Sequence, residues 1–362
     1  MAKNVKPEEL MTWTREEARK IDLKLYESLH RFSSPKYLKN PALGEGYAYH
    51  EKGIEMGVLE PARYILDLGG KRLRPIMAVL VMEAFGTKSD DFLEFAVVPE
   101  VIHTGTLLHD DIEDSSSMRR GKEATHIKFG LAKGLNLGDL MFFLPLNAIN
   151  DSKKITNEQK SSMMKVCISD MTRLGIGQAV EIVWHNFEVD PFKITELHVL
   201  QVLVDKTGAL TGIAMKIGAI IGGADDKTVE KIGVVGNLIG VAFQIQDDIL
   251  NLTASGVADT KGGVGEDITE GKMTVLVIHA LGHTQKKDAN RLIEILKSHT
   301  TKPKEINEAI GIIVRSGAIE HANKLKEIKI KEAWDLLNRV IPESDAREKL
   351  HALLAFMISR TT

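Results

Sequence analysis

The chain has 362 residues, with 47 Lys and Arg against 50 Asp and Glu, so its formal net charge is −3. This balance provides no basic field for a nucleic-acid backbone or an anionic membrane surface, and it argues against a nucleic-acid binder. Hydrophobic residues make up 43 %, which is typical of a globular protein with a large core. The single cysteine, Cys167, cannot form a disulfide within the chain, and a charged start without an apolar stretch favours a cytoplasmic location.

Apolar residues recur at helical spacing in one segment after another, as at Leu292, Ile295 and Leu296. Sustained alternation of period two, the signature of half-buried strands, is missing. The pattern therefore predicts an all-α protein. In chain order, the predicted helices cover 14–31, 61–86, 91–114, 136–151, 157–187, 194–222, 226–254 and 271–283, with several more up to 360.

Two longer stretches, 32–60 and 255–270, are rich in turn residues and are predicted to be surface segments. No repeat, low-complexity tract or linker divides the chain. We therefore expect an N-terminal helix-and-loop segment over 1–60 and a single helical domain over 61–362. The longest uncharged run, 232–246, contains several polar residues and is shorter than the roughly 18 apolar residues of a spanning helix, so we expect no membrane span.

The dipeptide Asp-Asp occurs four times, and the contexts of the four pairs differ. The pairs at 90–91 and 225–226 follow glycine-containing turns and are typical of solvated helix starts, where carboxylates suit the helix dipole. The pairs that begin at Asp110 and Asp247 instead end long, nearly uncharged helical stretches. This repeated arrangement is the main indication of a functional site.

Helical spacing brings oxygen ligands together at both of these helix ends. Asp110 and Asp114 are four residues apart, as are Asp247 and Asn251, so the members of each pair share one helix face. Mg²⁺ is held in proteins by one or two carboxylates together with substrate phosphates and water. One acidic helix end is more often a solvated face, but two matched ones predict a divalent-metal site.

Basic residues are available for a phosphorylated substrate. Three cations fall within residues 71–74 after a pair of glycines, and three more fall within 119–122, directly after the first acidic motif. Arginine suits forked contacts with phosphate and lysine suits point-charge contacts. Either run alone is typical of an exposed turn, and Lys206 and Lys272 carry no signal by spacing alone. The glycine-rich piece 261–265 matches neither a P-loop nor a dinucleotide fingerprint.

An ordered set of motifs runs along about 66–280. Its members are Gly70-Lys71-Arg72, Glu100, His103, His109-Asp110-Asp111-Ile112-Glu113-Asp114, Arg119-Arg120-Gly121, Gly177-Gln178, Lys206-Thr207-Gly208, Phe243-Gln244-Ile245-Gln246-Asp247-Asp248 and Glu266-Asp267-Ile268-Thr269-Glu270-Gly271-Lys272. In this order the motifs resemble the trans-isoprenyl diphosphate synthase family. The second acidic motif ends in Asn251, where many members have a third Asp, but the eukaryotic-type geranylgeranyl diphosphate synthases, which the chain resembles most, also lack that Asp.

The resemblance implies an isoprenoid-synthase helical bundle around a deep central apolar cavity, with the two acidic motifs facing each other across its mouth and three Mg²⁺ between them. The implied metal ligands are Asp110, Asp111, Asp114 and Asp247, which with Lys206 form the implied catalytic set. The allylic diphosphate would be bound with the help of Arg119, Lys206, Lys261, Lys272, Gln244 and Asp248. The diphosphate of isopentenyl diphosphate would be held by Lys71, Arg72, His103 and Arg120.

The implied reaction joins isopentenyl diphosphate to dimethylallyl, geranyl or farnesyl diphosphate, head to tail. Metals and cations stabilise the departing diphosphate, so that the allylic carbon–oxygen bond ionises. An apolar cavity keeps water from the carbocation, and the double bond of isopentenyl diphosphate attacks instead. Loss of a proton, which by the resemblance passes to the released diphosphate, then restores an allylic product with five more carbons. The resemblance also implies a homodimer.

Product length is expected to depend on the depth of the cavity below the first motif. Gly105 lies about 7.5 Å before Asp110 along a helix, and a glycine there would leave the tunnel open and disfavour a farnesyl product. By the resemblance, Phe142 and Phe143 would form the floor of the cavity, which favours a twenty-carbon product. Gly175 stands where a floor-forming histidine is expected, and this could permit longer products.

Three alternatives stay open. A longer-chain synthase, making products of 25 carbons or more, would differ only in cavity depth. A class I terpene cyclase would share the first motif, but its second is usually built from Asn, Ser and Glu, and it needs no site for isopentenyl diphosphate. A non-catalytic partner subunit would commonly lack acidic residues that this chain keeps, and consumption of isopentenyl diphosphate by the purified chain alone would discriminate it.

Overall fold

The computed structural model describes residues 7–39, 46–253 and 265–359. Helices dominate these ranges, so the all-α prediction is confirmed. The strands among the described residues form one short antiparallel hairpin, in which Met118 pairs with Glu123 and Arg119 with Lys122. The sequence pattern gave no sign of this hairpin, because each strand is only two residues long.

The helices follow the predicted order, with breaks inside three of the predicted spans. The elements are α1 Pro7–Phe32, α2 Pro35–Leu38, α3 Glu51–Ile54, α4 Glu60–Asp67, α5 Leu73–Ala84, α6 Leu93–Ala96, α7 Val98–Glu113, β1 Met118–Arg119, β2 Lys122–Glu123, α8 Thr125–Phe129, α9 Leu131–Asn150, α10 Asn157–His185, α11 Glu196–Leu203, α12 Ala209–Ile221, α13 Asp226–Thr253, α14 Glu266–Glu270, α15 Val275–His283, α16 Lys286–Lys297, α17 Pro303–Arg315, α18 Ala318–Val340 and α19 Asp345–Ser359. Two π-helical turns, Glu55–Leu59 and Val204–Gly208, and two 3₁₀ turns, Ser89–Phe92 and Pro191–Lys193, complete the set.

The chain divides into two compact units, each assembled from three stretches. The first unit comprises Met1–Val166, Ala214–Val229 and Pro342–Ala352, and the second comprises Cys167–Ile213, Glu230–Ile341 and Leu353–Thr362. The first acidic motif belongs to the first unit and the second acidic motif to the second unit. The expected division at residues 60 and 61 stays a prediction.

In the first unit, α7 carries the first acidic motif and is fixed by a close crossing with α9. A Cβ on Gly105 of α7 would lie 3.0 Å from the carbonyl oxygen of Gly138 and 3.1 Å from Cβ of Met141. Side chains at either glycine would push the two helices apart, since interiors are packed to near-crystalline density. This crossing sets the direction in which the end of α7 points.

The core of the second unit surrounds α15, which packs against α11, α16, α17 and α18. Glycines bring the end of the π-helical turn Val204–Gly208 close to α13. A Cβ on Gly240 would lie 2.7 Å from Cα of Gly208. The turn is therefore held directly against the helix that carries the second acidic motif. The apolar side chains of this core include Val199, Val241, Leu276, Leu292, Ile312 and Ile313.

One helix among the described residues, Asp226–Thr253, is long and apolar enough to cross a membrane by length and composition alone. Of its most apolar window, 56 % is buried inside the protein. Core helices of soluble proteins pass the same test. The absence of a membrane span stays a prediction.

Candidate active site

The turn between α4 and α5 places the first basic run and breaks the helix predicted over 61–86. Gly69 and Arg72 have φ of 84° and 49°, in the left-handed region. This region is costly for a residue with a Cβ, so Arg72 must be held there by its contacts. A Cβ on Gly70 would lie 2.8 Å from Nη1 of Arg72 and 3.2 Å from Nη1 of Arg120. Glycine at position 70 thus lets both guanidinium groups lie beside the backbone.

Arg72 is buried and donates from all three of its guanidinium nitrogens. Nε donates to Asp22 at 2.6 Å, Nη1 to Glu100 at 3.0 Å and Nη2 to the carbonyl oxygen of Leu66 at 3.1 Å. Burial acts to lower the pKa of Arg72, but Glu100 and Asp22 outweigh it and raise the pKa. Arg72 is therefore a fixed charge that anchors the turn, while its neighbour Lys71 is exposed.

The hairpin of β1 and β2 places the second basic run. Arg120 and Gly121, with φ of 52° and 74°, form its two-residue turn, as hairpins of this length require. Arg119 is buried and donates to Asp111 through Nε at 3.1 Å and also through Nη2. Asp111, predicted as a metal ligand, thus already accepts from Arg119 on both oxygens. The turn leaves Arg120 exposed.

Four arginines act together on His103, and we name them the arginine cluster: Arg72, Arg74, Arg119 and Arg120. Burial, and then the positive field of the cluster, hold the pKa of His103 well below its ordinary value. The imidazole is therefore neutral at physiological pH. Burial lowers the pKa values of Arg74 and Arg120, and Glu100, 4 % exposed, opposes that lowering and contributes to the raised pKa of Arg72, so it is their shared counter-charge.

The cluster retains capacity for an anion. Nε of Arg74 is buried and has no hydrogen-bond partner among the described residues. Four guanidinium groups face three carboxylates, those of Asp22, Glu100 and Asp111, so one positive charge is in excess. Guanidinium groups held in fixed positions are suited to forked contacts with phosphate oxygens.

The first acidic motif ends α7. Asp110 is in the last turn, and Asp114 is the C-cap residue, whose N–H donates to the Asp110 carbonyl oxygen at 2.9 Å. Carboxylates at a helix C-terminus face the negative end of the helix dipole, at a cost of about 0.3–1 kcal/mol each. Among the described residues, no three His, Cys, Asp or Glu side chains are arranged to hold a metal ion by themselves. The metal-ligand roles of Asp110 and Asp114 stay predictions.

In the second unit, the π-helical turn Val204–Gly208 places Lys206. Turns of this kind are rare and occur frequently at functional sites. α10 approaches the turn at Gly177, where a Cβ would lie 3.4 Å from the backbone nitrogen of Lys206. Nζ of Lys206 donates to Oε2 of Glu181 at 2.5 Å. Burial acts to raise the pKa of Glu181, but Lys206 and Lys272 lower it to about 2, so Glu181 is a carboxylate.

Hydrogen bonds and ion pairs join the π-helical turn to the second acidic motif. Oγ1 of Thr207 donates to Gln244 at 3.1 Å, and Nε2 of Gln244 donates to Oδ1 of Asp248 at 2.9 Å. Nζ of Lys272 lies 3.6 Å from the same oxygen of Asp248 and 3.3 Å from Asp267. The predicted residues Gln244, Asp248 and Lys272 therefore share one network.

Asp248 shows that this network fits a cation. Its Oδ2 is buried and has no hydrogen-bond partner in the part of the chain that the structure describes. Burial raises the pKa of Asp248 to about 6, although Lys272 acts in the opposite direction. Carboxylate oxygens are the hard ligands that Mg²⁺ takes, and each unit supplies such oxygens at its acidic motif. The residues thus fit a divalent metal, and the role of Asp247, half-buried, as its ligand stays a prediction.

Asn251 has a local structural role. Its Oδ1 accepts from the backbone N–H of Asp267 at 3.2 Å, and its carbonyl oxygen accepts from the N–H of Gly265 at 2.9 Å. Asn251 thus satisfies a free N–H at the start of α14 and positions Asp267 beside Lys272. The predicted ligand Lys261 lies outside the described residues.

The four residues predicted to set product length lie in different surroundings. Gly105 meets α9 rather than open space, because a Cβ there would lie 3.2 Å from the ring of Phe142, which corrects the expectation of an open position. Phe142 is half-buried, its ring centroid 5.3 Å from that of His109. Phe143 is 66 % exposed and Gly175 is exposed with no neighbour within 4 Å of its Cβ position, so neither lies in an enclosed space. Helical spacing gave the depth of Gly105 along α7, but not the face of the helix on which it lies.

Four charged residues of the two networks were not predicted as site residues: Arg74, Glu100, Glu181 and Asp267. Glu100 and Glu181 each stand within largely apolar helical stretches, and a buried carboxylate in such a stretch needs a partner. That signal could have found them. Arg74 was noted only as part of a basic run, and Asp267 only as part of a family motif.

Each unit thus combines carboxylates with cations, the arrangement expected of an all-helical enzyme that binds diphosphate esters. Residues 56–313 match the family model described as polyprenyl synthetase, and the chain belongs to that family.

Similar proteins cover most of the chain. The short chain isoprenyl diphosphate synthase of Methanothermobacter thermautotrophicus is 35 % identical over 305 residues, or 84 % of this chain and 90 % of the relative. The crystal structure of geranylgeranyl pyrophosphate synthetase from Pyrococcus horikoshii has a TM-score of 0.82 at 31 % identity, covering 98 % of this chain and 99 % of that one. The polyprenyl synthase of Caulobacter crescentus, solved with calcium and isoprenyl diphosphate, has a TM-score of 0.79 at 25 % identity, covering 98 % and 97 %.

These likenesses confirm two predictions. The fold is the isoprenyl-synthase helical bundle. The protein is a trans-prenyltransferase that elongates prenyl chains.

Proposed function

We propose that the protein condenses isopentenyl diphosphate with an allylic diphosphate in the presence of Mg²⁺ and that its main product is geranylgeranyl diphosphate. The full-length likeness to an enzyme named geranylgeranyl pyrophosphate synthetase supports this product. The floor residues add no support for it, because Phe143 and Gly175 lie on the surface.

The observation that carries the proposal is that the two units hold two sets of cations of different chemistry. The arginine cluster lies in the first unit, and Lys206 and Lys272 lie in the second. A condensation between two diphosphate esters needs two such sets, whereas a cyclase needs only one. Retention of both sets also argues against a non-catalytic subunit.

In the first unit Arg74 and Arg120 of the arginine cluster would hold the diphosphate of isopentenyl diphosphate, which stays on its substrate throughout the reaction. Arg120 and Arg74 have capacity for phosphate oxygens, while Arg72 and Arg119 are tied to carboxylates and fix the shape of the site. A neutral His103 can donate one hydrogen bond without adding charge. The double bond would thereby be held for attack on the allylic carbon.

In the second unit Lys206 and Lys272 would bind the allylic diphosphate, on which negative charge grows as the carbon–oxygen bond breaks. Mg²⁺, when bound with that substrate, would supply Lewis-acid neutralisation of the leaving group. Ammonium groups aimed at a growing charge lower the barrier most, because they bind the transition state more strongly than the ground state. The predicted metal ligands, Asp110, Asp111 and Asp114 of the first motif and Asp247 of the second, keep that role in the proposal.

A second copy of the chain is the proposed protein partner. Leu131, Leu135 and Phe143 follow an i, i+4n row on α9 and are 58 %, 47 % and 66 % exposed. A row of large apolar side chains on one helix is typical of an interaction surface. Phe143→Glu is expected to convert a dimer into monomers in light scattering, whereas the exposed substitution Lys324→Glu on α18 leaves the mass unchanged.

Product analysis tests the proposed function. Purified protein, Mg²⁺ and labelled isopentenyl diphosphate are incubated with dimethylallyl, geranyl or farnesyl diphosphate, and chain length is read by chromatography. We expect a twenty-carbon product from each primer. Products of 25 carbons or more would keep the reaction and overturn the product. A cyclic hydrocarbon made from an allylic diphosphate alone, or no condensation with any primer, would overturn the reaction itself.

A further inference from the structure

Glu181 of α10 stands out because it is a buried carboxylate that neither acidic motif includes. It is 7 % exposed, and its Oε2 accepts from Nζ of Lys206 at 2.5 Å. Gly177, one helical turn earlier, lets α10 approach the π-helical turn, since a Cβ there would lie 3.0 Å from Cβ of Asp205. The glycine therefore brings α10 close to the turn, and Glu181 can reach Lys206.

Lys206, the partner of Glu181, is partly exposed to solvent. The side chain of Lys206 is 26 % exposed, so its ammonium group can still reach a ligand while Glu181 holds one side of it. Lys272 is 19 % exposed and adds to the same electrostatic field. A lysine has a flexible four-carbon stem, and ordering it costs up to about 2 kcal/mol of rotamer entropy. A buried carboxylate that orders the stem beforehand removes that cost from substrate binding.

We propose that Glu181 is a positioning residue, which orients Lys206 toward the allylic diphosphate. The proposal rests on the proposed function, because it deepens the role of the lysine site in that reaction. Glu181 does not touch the substrate, and its effect passes through Lys206.

Glu181→Gln keeps the size of the side chain and removes its charge. A lysine displaced by about 1 Å can cost about a hundredfold, so we expect kcat to fall about tenfold to a hundredfold. The KM of isopentenyl diphosphate should stay within about twofold, since the arginine cluster is untouched. Glu181→Asp should recover part of kcat, and it serves as the test if Glu181→Gln does not fold.

Asp170→Asn is the matched control. Asp170 is a buried carboxylate on the same helix, 1 % exposed, and it pairs with Arg173 at 2.5 Å. We expect wild-type kcat per folded molecule. An equal fall in kcat in this variant would show that any buried charge on α10 has the same effect and would overturn the proposal.

A double variant separates positioning from a merely structural role. Because Glu181 acts through Lys206, Glu181→Gln combined with Lys206→Gln should be no slower than Lys206→Gln alone. Multiplying effects would overturn the proposal, as would wild-type kinetics in Glu181→Gln. Failure of the wild-type chain to incorporate labelled isopentenyl diphosphate would instead count against the proposed function, so the two failures are distinguishable.

Discussion

The two units hold their cations in different ways. In the first unit, Arg119 and Arg72 are locked by forked or multiple bonds to carboxylates and are almost fully buried. In the second, Lys206 and Lys272 sit at the ends of flexible stems and keep about a fifth to a quarter of their surface exposed. A planar guanidinium group presents its N–H donors in a fixed geometry, whereas an ammonium group on a flexible stem acts as a point charge. The arginines therefore suit the diphosphate that stays on isopentenyl diphosphate, and the lysines suit the diphosphate that leaves the allylic substrate.

The largest loss of activity is expected from substitutions in the two acidic motifs, whose carboxylates are predicted to bind metal, whereas the two cation sets bind diphosphate. Asp110→Ala or Asp247→Ala should lower kcat by about a thousandfold or more, because each removes a hard ligand from the leaving group's metal. Melting temperature should change little, since neither carboxylate packs in the core. The control is Asp91→Ala, a change in an exposed Asp-Asp pair. Retained activity at 110 or 247 would contradict the assignment.

Arg119→Ala tests the contrast between the buried arginines of the first unit, which are paired with carboxylates, and the partly exposed lysines of the second unit. It leaves Asp111, 1 % exposed, as a buried carboxylate without its partner, and we expect a loss of about 3–5 kcal/mol in the free energy of unfolding. Lys324→Ala breaks a fully exposed pair with Glu320 and should leave the free energy of unfolding nearly unchanged. Urea unfolding measures both. A similar small loss at both positions would mean that the arginine is not locked.

His103 gives the first unit an acid sensitivity. Its pKa is lowered in the folded protein, so the unfolded chain binds its proton more readily. The stabilisation is complete above the ordinary pKa of about 6.5 and is lost as the pH falls below it, by up to about 1.4 kcal/mol per unit. His103→Gln should therefore lose less stability than wild type between pH 7 and pH 5. Parallel losses in urea unfolding would refute a neutral buried imidazole.

The smallest effect on stability and activity is expected at Asn251, which supports the lysine network by accepting a hydrogen bond from the backbone N–H of Asp267. Asn251→Ala removes the acceptor of the Asp267 N–H and should cost about 1 kcal/mol in the free energy of unfolding. Asn251→Asp keeps an acceptor there and should retain activity within about twofold. A large gain in activity with Asp would show that position 251 acts as a metal ligand.

The fold and the acidic motifs could be predicted because helical periodicity and i, i+4 spacing are local. Contacts between residues on opposite sides of a turn could not be predicted from these local patterns. Arg119 and Asp111 are eight residues apart, and only the hairpin brings them together. Arg72 and Asp22 are fifty residues apart and depend on a left-handed residue that no periodicity reveals.

The product-length residues show the same limit. Spacing places Gly105 at the right depth along α7, but only the packed structure shows that it faces α9. Phe143 is apolar, yet it lies on the surface, which one sequence cannot distinguish from a core position. Glu181 is the opposite case. A charged residue in an apolar helix indicates that it has a partner, but only the folded structure shows that this partner is Lys206.

Calorimetric titration tests the division between the two cation sets most directly. Arg120→Gln and Lys272→Gln are each titrated with isopentenyl diphosphate and, with Mg²⁺, with an allylic thiodiphosphate that does not ionise. We predict that Arg120→Gln weakens the first ligand about tenfold or more and leaves the second within about twofold, and that Lys272→Gln does the reverse. Equal losses for both ligands in both variants, or the opposite pairing, would contradict the assignment of one diphosphate to each unit's cations.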